Sequence, residues 1–448
     1  MKPADAPRRA LSFADNPPLS LPMRFFLSAP VFAALAAALL LWYGPDALLT
    51  RWSPLTLALT HLLVLGCLSM TMVGALLQLL PVVAGIALPH VGKVAPAVHF
   101  GLSAGTLLLA AAFLSEQAVL FQLALAVLLP TLLLFVGACT VDMWRMHAPG
   151  SGAVVTGIRL SLAALVTTTV LGGVLAGAFA WPSASVGSGA LPLQRLTDLH
   201  AMWGLLGWVG LLVIAVAFQV VPMFMLTEPY PARLTGGYAT ALFLLLIAAS
   251  LSSGLPAPGL RFHQAMLILL ALGYLLFGAT TLHLLARRKR PALDTTTLYW
   301  RTAMACLLAA QALWLWPWPS PDNAAPLMLG VLMVYGFALS AVNGMLYKIV
   351  PFLVWYHLRD AVGGAGRKMP GVNTLIPQIR ARWQFGTHLA ALPLLLGACR
   401  HPDLLARAAA VLMCLACLGL CFNLYSGARL YQRLRAGPAT HHPVSAQT

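Results

Sequence analysis

Charged side chains are scarce in this sequence of 448 residues. Asp, Glu, Lys and Arg make up 8% of it, whereas hydrophobic residues make up 60%. A soluble domain carries about 25% charged residues, so the composition excludes an ordinary soluble protein. About 20 apolar residues are needed for one membrane crossing, and the chain has many runs of that kind. The sequence therefore predicts an all-α polytopic membrane protein.

Acidic residues are the scarcer of the two charged groups, and none is predicted at the middle of the membrane. The chain has 11 of them, all in loops or at the ends of apolar segments. Proton-coupled pumps and transporters usually need a carboxylate within a span, so this absence argues against that class. Glycine-rich phosphate loops and nucleophile-elbow motifs are also missing. The 7 cysteines fall in apolar segments or at their ends, which is not the pattern of a disulfide framework.

The apolar runs predict 12 transmembrane helices. Their approximate bounds are 22–43, 54–80, 96–115, 118–140, 154–181, 197–226, 234–255, 261–286, 297–316, 325–350, 384–400 and 404–428. An even number of crossings places both termini on the same side of the membrane. The longest hydrophilic piece between two segments is expected near 355–384, so no appended soluble domain is predicted.

The basic residues indicate which side holds the termini. Only five of the 27 fall on the side away from the termini, which leaves 22 on the side of the termini. These five are Arg51, Arg195, Arg261, Arg400 and Arg407. The positive-inside rule therefore predicts cytoplasmic termini, with tails at 1–21 and 435–448 and one membrane domain over 22–434. The same rule accounts for the net charge of +16, so the lipid bilayer is the expected partner and nucleic acid is not.

One pattern recurs in the second, sixth and tenth segments. Each has a small residue, a second small residue eight positions on, Gln or Lys four further on, and Pro three further on. The members are Gly66, Gly74, Gln78 and Pro81; Gly207, Ala215, Gln219 and Pro222; and Gly336, Gly344, Lys348 and Pro351. On a helix these positions share one face about 120° wide, which favours helix packing and helix ending, with a polar pathway as the alternative. The spacing predicts three consecutive four-helix units of about 130–140 residues each.

Three histidines are predicted in the outer third of the bilayer. They are His61 in the second segment, His200 in the sixth and His263 in the eighth. Histidine, with methionine in second place, is a ligand of haem iron and copper, so these three and Met202 are the candidate cofactor ligands. The alternative is that each is a lone interfacial histidine bonded to a carbonyl or water. Six further histidines are expected at the inner face, mostly solvated: His90, His99, His147, His283, His357 and His388. Of these, His99 and His388 are expected to be the least exposed.

Two of these segments resemble subunit I of the haem–copper oxidases. The segments are LTHLLVLGCLSMTMVGALLQLLPVVAG and LHAMWGLLGWVGLLVIAVAFQVVPMF, and the similarity is to divergent members, such as NnrS-type haem- and copper-containing proteins and relatives of the cbb3-type catalytic subunit. The resemblance implies three four-helix arcs with pseudo-threefold symmetry. It also implies that His61 matches a low-spin haem ligand and that His200 loosely matches a copper ligand.

The resemblance is incomplete at the residues that carry oxygen chemistry. The tenth segment has no histidine to complete either haem site, and the seventh lacks the family's copper-binding pair. We therefore expect a haem- or copper-binding inner-membrane protein of bacteria without a complete oxygen-reducing centre, serving respiration, denitrification or nitric oxide stress. A non-catalytic partner or assembly factor of a respiratory complex and a permease are the alternatives. No catalytic residue is predicted.

Overall fold

The computed structural model describes residues 17–86, 88–141, 143, 152–185, 193–290, 292–316, 324–362 and 371–436, and all its regular elements are helices. Residues 1–16 and 437–448, which form most of the two predicted tails, lie outside this range. His147 does as well. The long helices are α1 (Ser20–Tyr43), α2 (Pro54–Ala84), α3 (Val91–Ser115), α4 (Ala118–Thr140), α5 (Gly152–Ala180), α6 (Leu193–Met225), α7 (Tyr238–Ser252), α8 (Ala257–Ala286), α9 (Thr295–Leu315), α10 (Ala324–Val362), α11 (Gln378–Ala398) and α12 (Pro402–Ala436). Short helices cover Gly44–Leu48, Pro182–Ser185, Ala232–Thr235 and Val372–Leu375.

Within the described ranges, 9 helices are long and apolar enough to cross a membrane. They are α1 to α6, α8, α10 and α12. Helix α7 is apolar but shorter, while α9 and α11 carry arginines, such as Arg301 and Arg380, within their length. The protein is therefore a polytopic helical membrane protein, as the composition predicts.

The long helices follow one another around a closed ring. Each helix packs against the next along the chain, and α12 returns to pack along α1. Helices α2, α6 and α10 also contact one another, so the three helices that share the repeated pattern meet inside the ring. The indole Nε1 of Trp208 in α6 donates a hydrogen bond to Ser69 Oγ in α2 at 3.0 Å, which ties two of them together.

The first small residue of each repeat lies against the helix that precedes it. A Cβ on Gly66 would lie 2.4 Å from the Phe32 ring, a Cβ on Gly207 2.8 Å from Ala164 Cβ, and a Cβ on Gly336 2.7 Å from Cys306 Sγ. These separations are too short for any side chain, so glycine is what permits each helix pair to approach.

The second small residue repeats the same contact two turns further on. Gly74 lies against Phe25, Ala215 against Gly157, and Gly344 against Tyr299. The pairs are again α2 with α1, α6 with α5, and α10 with α9. The prediction that this face serves helix packing is confirmed.

A second threefold feature was not predicted from the pattern. Each central helix contains a π-helical stretch, over Leu62–Ser69, Trp203–Gly210 and Val331–Leu339. Each stretch contains the first glycine of its repeat. A π-helical turn widens the helix and is often found at functional sites, so it marks the middle of the bundle as a region of special geometry.

The repeated prolines end only two of the three helices. Helix α2 finishes in a short π-helical turn at Leu80–Ala84, and α6 ends three residues after Pro222. The third helix continues past Pro351 to Val362, so helix ending was wrong for α10. The predicted hydrophilic piece at 355–384 is in large part helix for the same reason, since α11 already begins at Gln378.

The third repeat has Lys348 where the other two have glutamine, and an ion pair explains the change. Lys348 Nζ lies 2.8 Å from the Asp294 carboxylate at the start of α9, and both side chains are mostly buried. Asp294 also accepts a hydrogen bond from Thr297 N at 2.8 Å and so caps α9. Burial by itself raises the pKa of Asp294, but Lys348 and the Thr297 donors outweigh it and the pKa is lowered.

Candidate metal site

The structure brings His61 and His200 together. Each histidine lies at the end of an α-helical stretch, just before the π-helical turn of its helix. The ring centroids are 6.3 Å apart and the ring planes differ by 23°. Both side chains are partly buried. The two imidazoles are therefore neighbours across the α2–α6 interface, at the end of the bundle where the sequence predicts them.

The same ring nitrogen is engaged in both histidines. His61 Nδ1 lies 2.8 Å from Leu57 O, and His200 Nδ1 lies 3.0 Å from Thr168 O. A carbonyl oxygen only accepts, so Nδ1 carries the hydrogen and Nε2 keeps a lone pair. This is the outer-shell arrangement that fixes a metal-binding histidine in its tautomer and orientation. Both rings therefore offer Nε2 as a ligand.

Aromatic rings and a glycine surround the histidine pair. Phe113 stacks on His61 with centroids 5.2 Å apart, and it contacts Phe121 and Phe179 in turn. On the other side, Gly172 of α5 lies against His200, where a Cβ would come within 2.8 Å of ring atom Cε1. The phenyl rings limit water around His61, and Gly172 leaves the space that the His200 ring occupies.

The centroid separation of the two rings is close to that of two imidazoles bound in line to one metal ion. Two metal–nitrogen bonds of about 2 Å, plus about 1 Å from each ring nitrogen to its centroid, give about 6 Å between centroids. The observed separation is 6.3 Å. A haem iron held by the same two ring nitrogens would require the same separation.

Two of the predicted ligands lie outside this pair. His263 Nδ1 lies 3.0 Å from Ala249 O and 3.2 Å from Ser252 Oγ, so it joins α8 to α7. Met202 packs as a partly buried residue against the hydrophobic core. Among the described residues, no group of three or more His, Cys, Asp or Glu converges in the manner of a metal site. The two imidazoles are therefore the ligands on which the candidate site rests.

His388 is buried, in contrast to the general expectation for inner-face histidines. It is 1% exposed, with Nε2 2.8 Å from Ser340 Oγ and its ring stacked 4.3 Å from that of Tyr335. A second set of buried polar contacts lies one turn away, where Tyr299 and Tyr347 both donate to Gln384 Oε1. The prediction that His388 is among the least exposed of the inner-face histidines is confirmed, and its burial arises because α9, α10 and α12 pack around α11 here. Only the pairing of these helices, not the local sequence, reveals the partners of its ring.

Comparison with known proteins gives no closer definition. No family model matches the chain, and no curated protein is similar to it. Fold and site together define a polytopic helical membrane protein with two neighbouring imidazoles near one end of its bundle.

Proposed function

We propose that this membrane protein binds one copper ion between Nε2 of His61 and Nε2 of His200. The observation that carries the proposal is the pair of rings 6.3 Å apart, each with Nδ1 held by a backbone carbonyl. Neutral imidazole suits copper, and copper lies at the top of the affinity order for divalent first-row metals. Two neutral ligands leave the ion's charge uncompensated, which favours the singly charged cuprous state in a site of low polarity.

The chain's own residues prepare this site before any ion arrives. Leu57 O and Thr168 O hold the two rings in the tautomer that presents Nε2. Phe113 keeps one face of His61 away from water. A bound copper ion would supply one-electron redox chemistry and a place for a small diatomic ligand.

The resemblance to subunit I of the haem–copper oxidases supports a related architecture. We propose that all twelve long helices cross the membrane as three four-helix arcs. Support comes from the closed helix order, the three repeated glycine contacts and the three π-helical stretches. The arginine-rich ends then face the cytoplasm of a bacterial inner membrane, and the histidine pair faces the other side. Respiration, denitrification and protection from nitric oxide are the processes that such a site suits.

Metal content of the purified protein tests the proposal. We expect about one copper ion per chain after anaerobic loading with Cu(I), and loss of that ion in both His61→Ala and His200→Ala. His401→Ala, which removes an exposed histidine, is the matched control and keeps the ion. His263→Ala tests the wider ligand set and is also expected to keep it. Equal copper in His61→Ala and His401→Ala would overturn the proposal.

An absorption spectrum of the same preparation distinguishes the second candidate, a haem. A Soret band that disappears in His61→Ala would assign haem, and not copper, to this pair. We expect no Soret band, since the proposal places copper, and not a haem, between the two rings.

A further inference from the structure

A cavity lies at the arginine-rich end of the bundle, between α12 and the start of α11. Its volume is about 440 Å³. The lining includes Arg380 of α11 together with Phe422, Tyr425, Arg429 and Arg433 of α12. This arginine cavity is remote in sequence from the histidine pair and plays no part in the proposed metal site.

The arginine cavity carries uncompensated positive charge. Three guanidinium groups line it, and no carboxylate does. In the described part of the chain, none of the three forms a salt bridge. A guanidinium group presents paired N–H donors that match a phosphate in geometry and charge. The cavity thus favours an anion, and a phosphate group above others.

An apolar stripe runs from the cavity along the outside of α12. Phe422 and Tyr425 line the cavity yet are 60% and 40% exposed. The same exposed face continues away from the arginines through Leu418, Leu415 and Val411. The steps of three and four residues keep these side chains on one face of the helix, with Arg429 and Arg433 at its end. A ligand that covers both regions has an anionic head and a hydrocarbon chain.

Arg380 joins the two regions. Its guanidinium carbon lies 5.4 Å from the centre of the Phe422 ring, within the range of a cation–π contact. The charge of Arg380 is thereby held at the boundary between the cavity and the apolar stripe. A free phosphate ion would use the arginines and leave the stripe uncovered, whereas a phospholipid would use both.

We propose that the arginine cavity binds the phosphodiester headgroup of an anionic phospholipid, with one acyl chain along the exposed stripe of α12. Basic pockets between transmembrane helices on the cytoplasmic side are a general means of binding anionic headgroups. We expect the site to hold one lipid, because the three arginines line one cavity.

Native mass spectrometry of the detergent-solubilised full chain tests this proposal. The probes are phosphatidylglycerol, phosphatidylcholine and inorganic phosphate, each added to delipidated protein. We expect one tightly held phosphatidylglycerol and no comparable adduct with phosphatidylcholine or phosphate. Removal of two arginine charges in Arg429→Gln/Arg433→Gln should weaken phosphatidylglycerol binding by about 30-fold, since each basic residue near an anionic lipid contributes about fivefold.

Arg435→Gln provides the matched control. It removes a guanidinium from the same end of α12, but Arg435 does not line the cavity. We expect this variant to bind phosphatidylglycerol within about twofold of the unaltered chain. Equal loss in the control and the double variant would overturn the proposal, because binding would then follow net charge alone. Phosphate binding as tight as that of phosphatidylglycerol would overturn it too, in favour of an inorganic anion site.

Discussion

Gly172→Ala is expected to weaken metal binding without touching a ligand atom. The added Cβ would lie 2.8 Å from His200 Cε1 and 3.3 Å from His200 Nδ1. The ring must move by several tenths of an ångström, and its 3.0 Å hydrogen bond to Thr168 O lengthens with it. Loss of an outer-shell partner of this kind typically costs 10–100-fold in metal affinity, so we expect a decrease of about that size.

The assay is a competition titration of Cu(I) against a chromophoric chelator with the purified protein. Gly177→Ala in the same helix is the control, because a Cβ there has no atom within 4 Å. Both variants gain helix propensity of up to about 1 kcal/mol, so neither should unfold α5. Identical copper affinity in Gly172→Ala and Gly177→Ala would refute the assigned position of the His200 ring.

Three further predictions concern the stability of the folded protein. Thermal unfolding in detergent measures it for Asp294→Asn and Trp208→Phe, and the amount of folded protein expressed measures it for Gly66→Val. Asp294→Asn keeps the helix cap but leaves Lys348 without its ion-pair partner, which should cost about 1–3 kcal/mol. Because the folded-state pKa of Asp294 is lowered, the stability it contributes is present above the unfolded pKa of about 4 and is lost as pH falls through the folded pKa. The variant should therefore lack that acid transition. Gly66→Val should prevent the close approach of α1 and lower expression of folded protein, whereas Gly137→Val, where a Cβ meets nothing within 4 Å, should not. Trp208→Phe removes the hydrogen bond to Ser69 and should cost about 1 kcal/mol; an unchanged melting temperature would speak against that bond.

Hydropathy and spacing predicted much of the bundle. Apolar runs located the long helices, most of them to within about five residues, because an apolar stretch of that length has no stable conformation in lipid other than a helix. The predicted bounds were further off at the end of α10, the start of α11 and the end of α12. The repeated glycines of α2, α6 and α10 also indicated close packing correctly, since small residues at a fixed spacing form one face. The same pattern did not predict which helices pack against these glycines, namely α1, α5 and α9.

The sequence was less informative where two distant segments meet. His61 and His200 were both predicted near the same face of the membrane, but their contact depends on Phe113 and Gly172, which carry no signal of their own. His263 was grouped with them by depth alone, and the structure places it between α7 and α8. The position of a residue along its helix can be predicted from sequence. The direction in which its side chain points within the bundle is set by tertiary packing.

The π-helical stretches and the polar contacts of His388 were missed for related reasons. A π-helical turn has no periodicity that distinguishes it from the surrounding apolar helix over so few residues. His388 was expected to be one of the less exposed histidines of the inner face, but its partners could not be predicted from sequence. Its burial results from the enclosing helices, with Ser340 and Tyr335 of α10 as partners.

The local structure around bound copper tests the central claim most directly. X-ray absorption spectroscopy of the Cu(I)-loaded protein should show two nitrogen ligands at about 2 Å, with the outer scattering of two imidazoles. The signal should be absent in His61→Ala. Sulfur neighbours at about 2.3 Å, as a cysteine site would give, or an unchanged spectrum in His61→Ala would contradict the account.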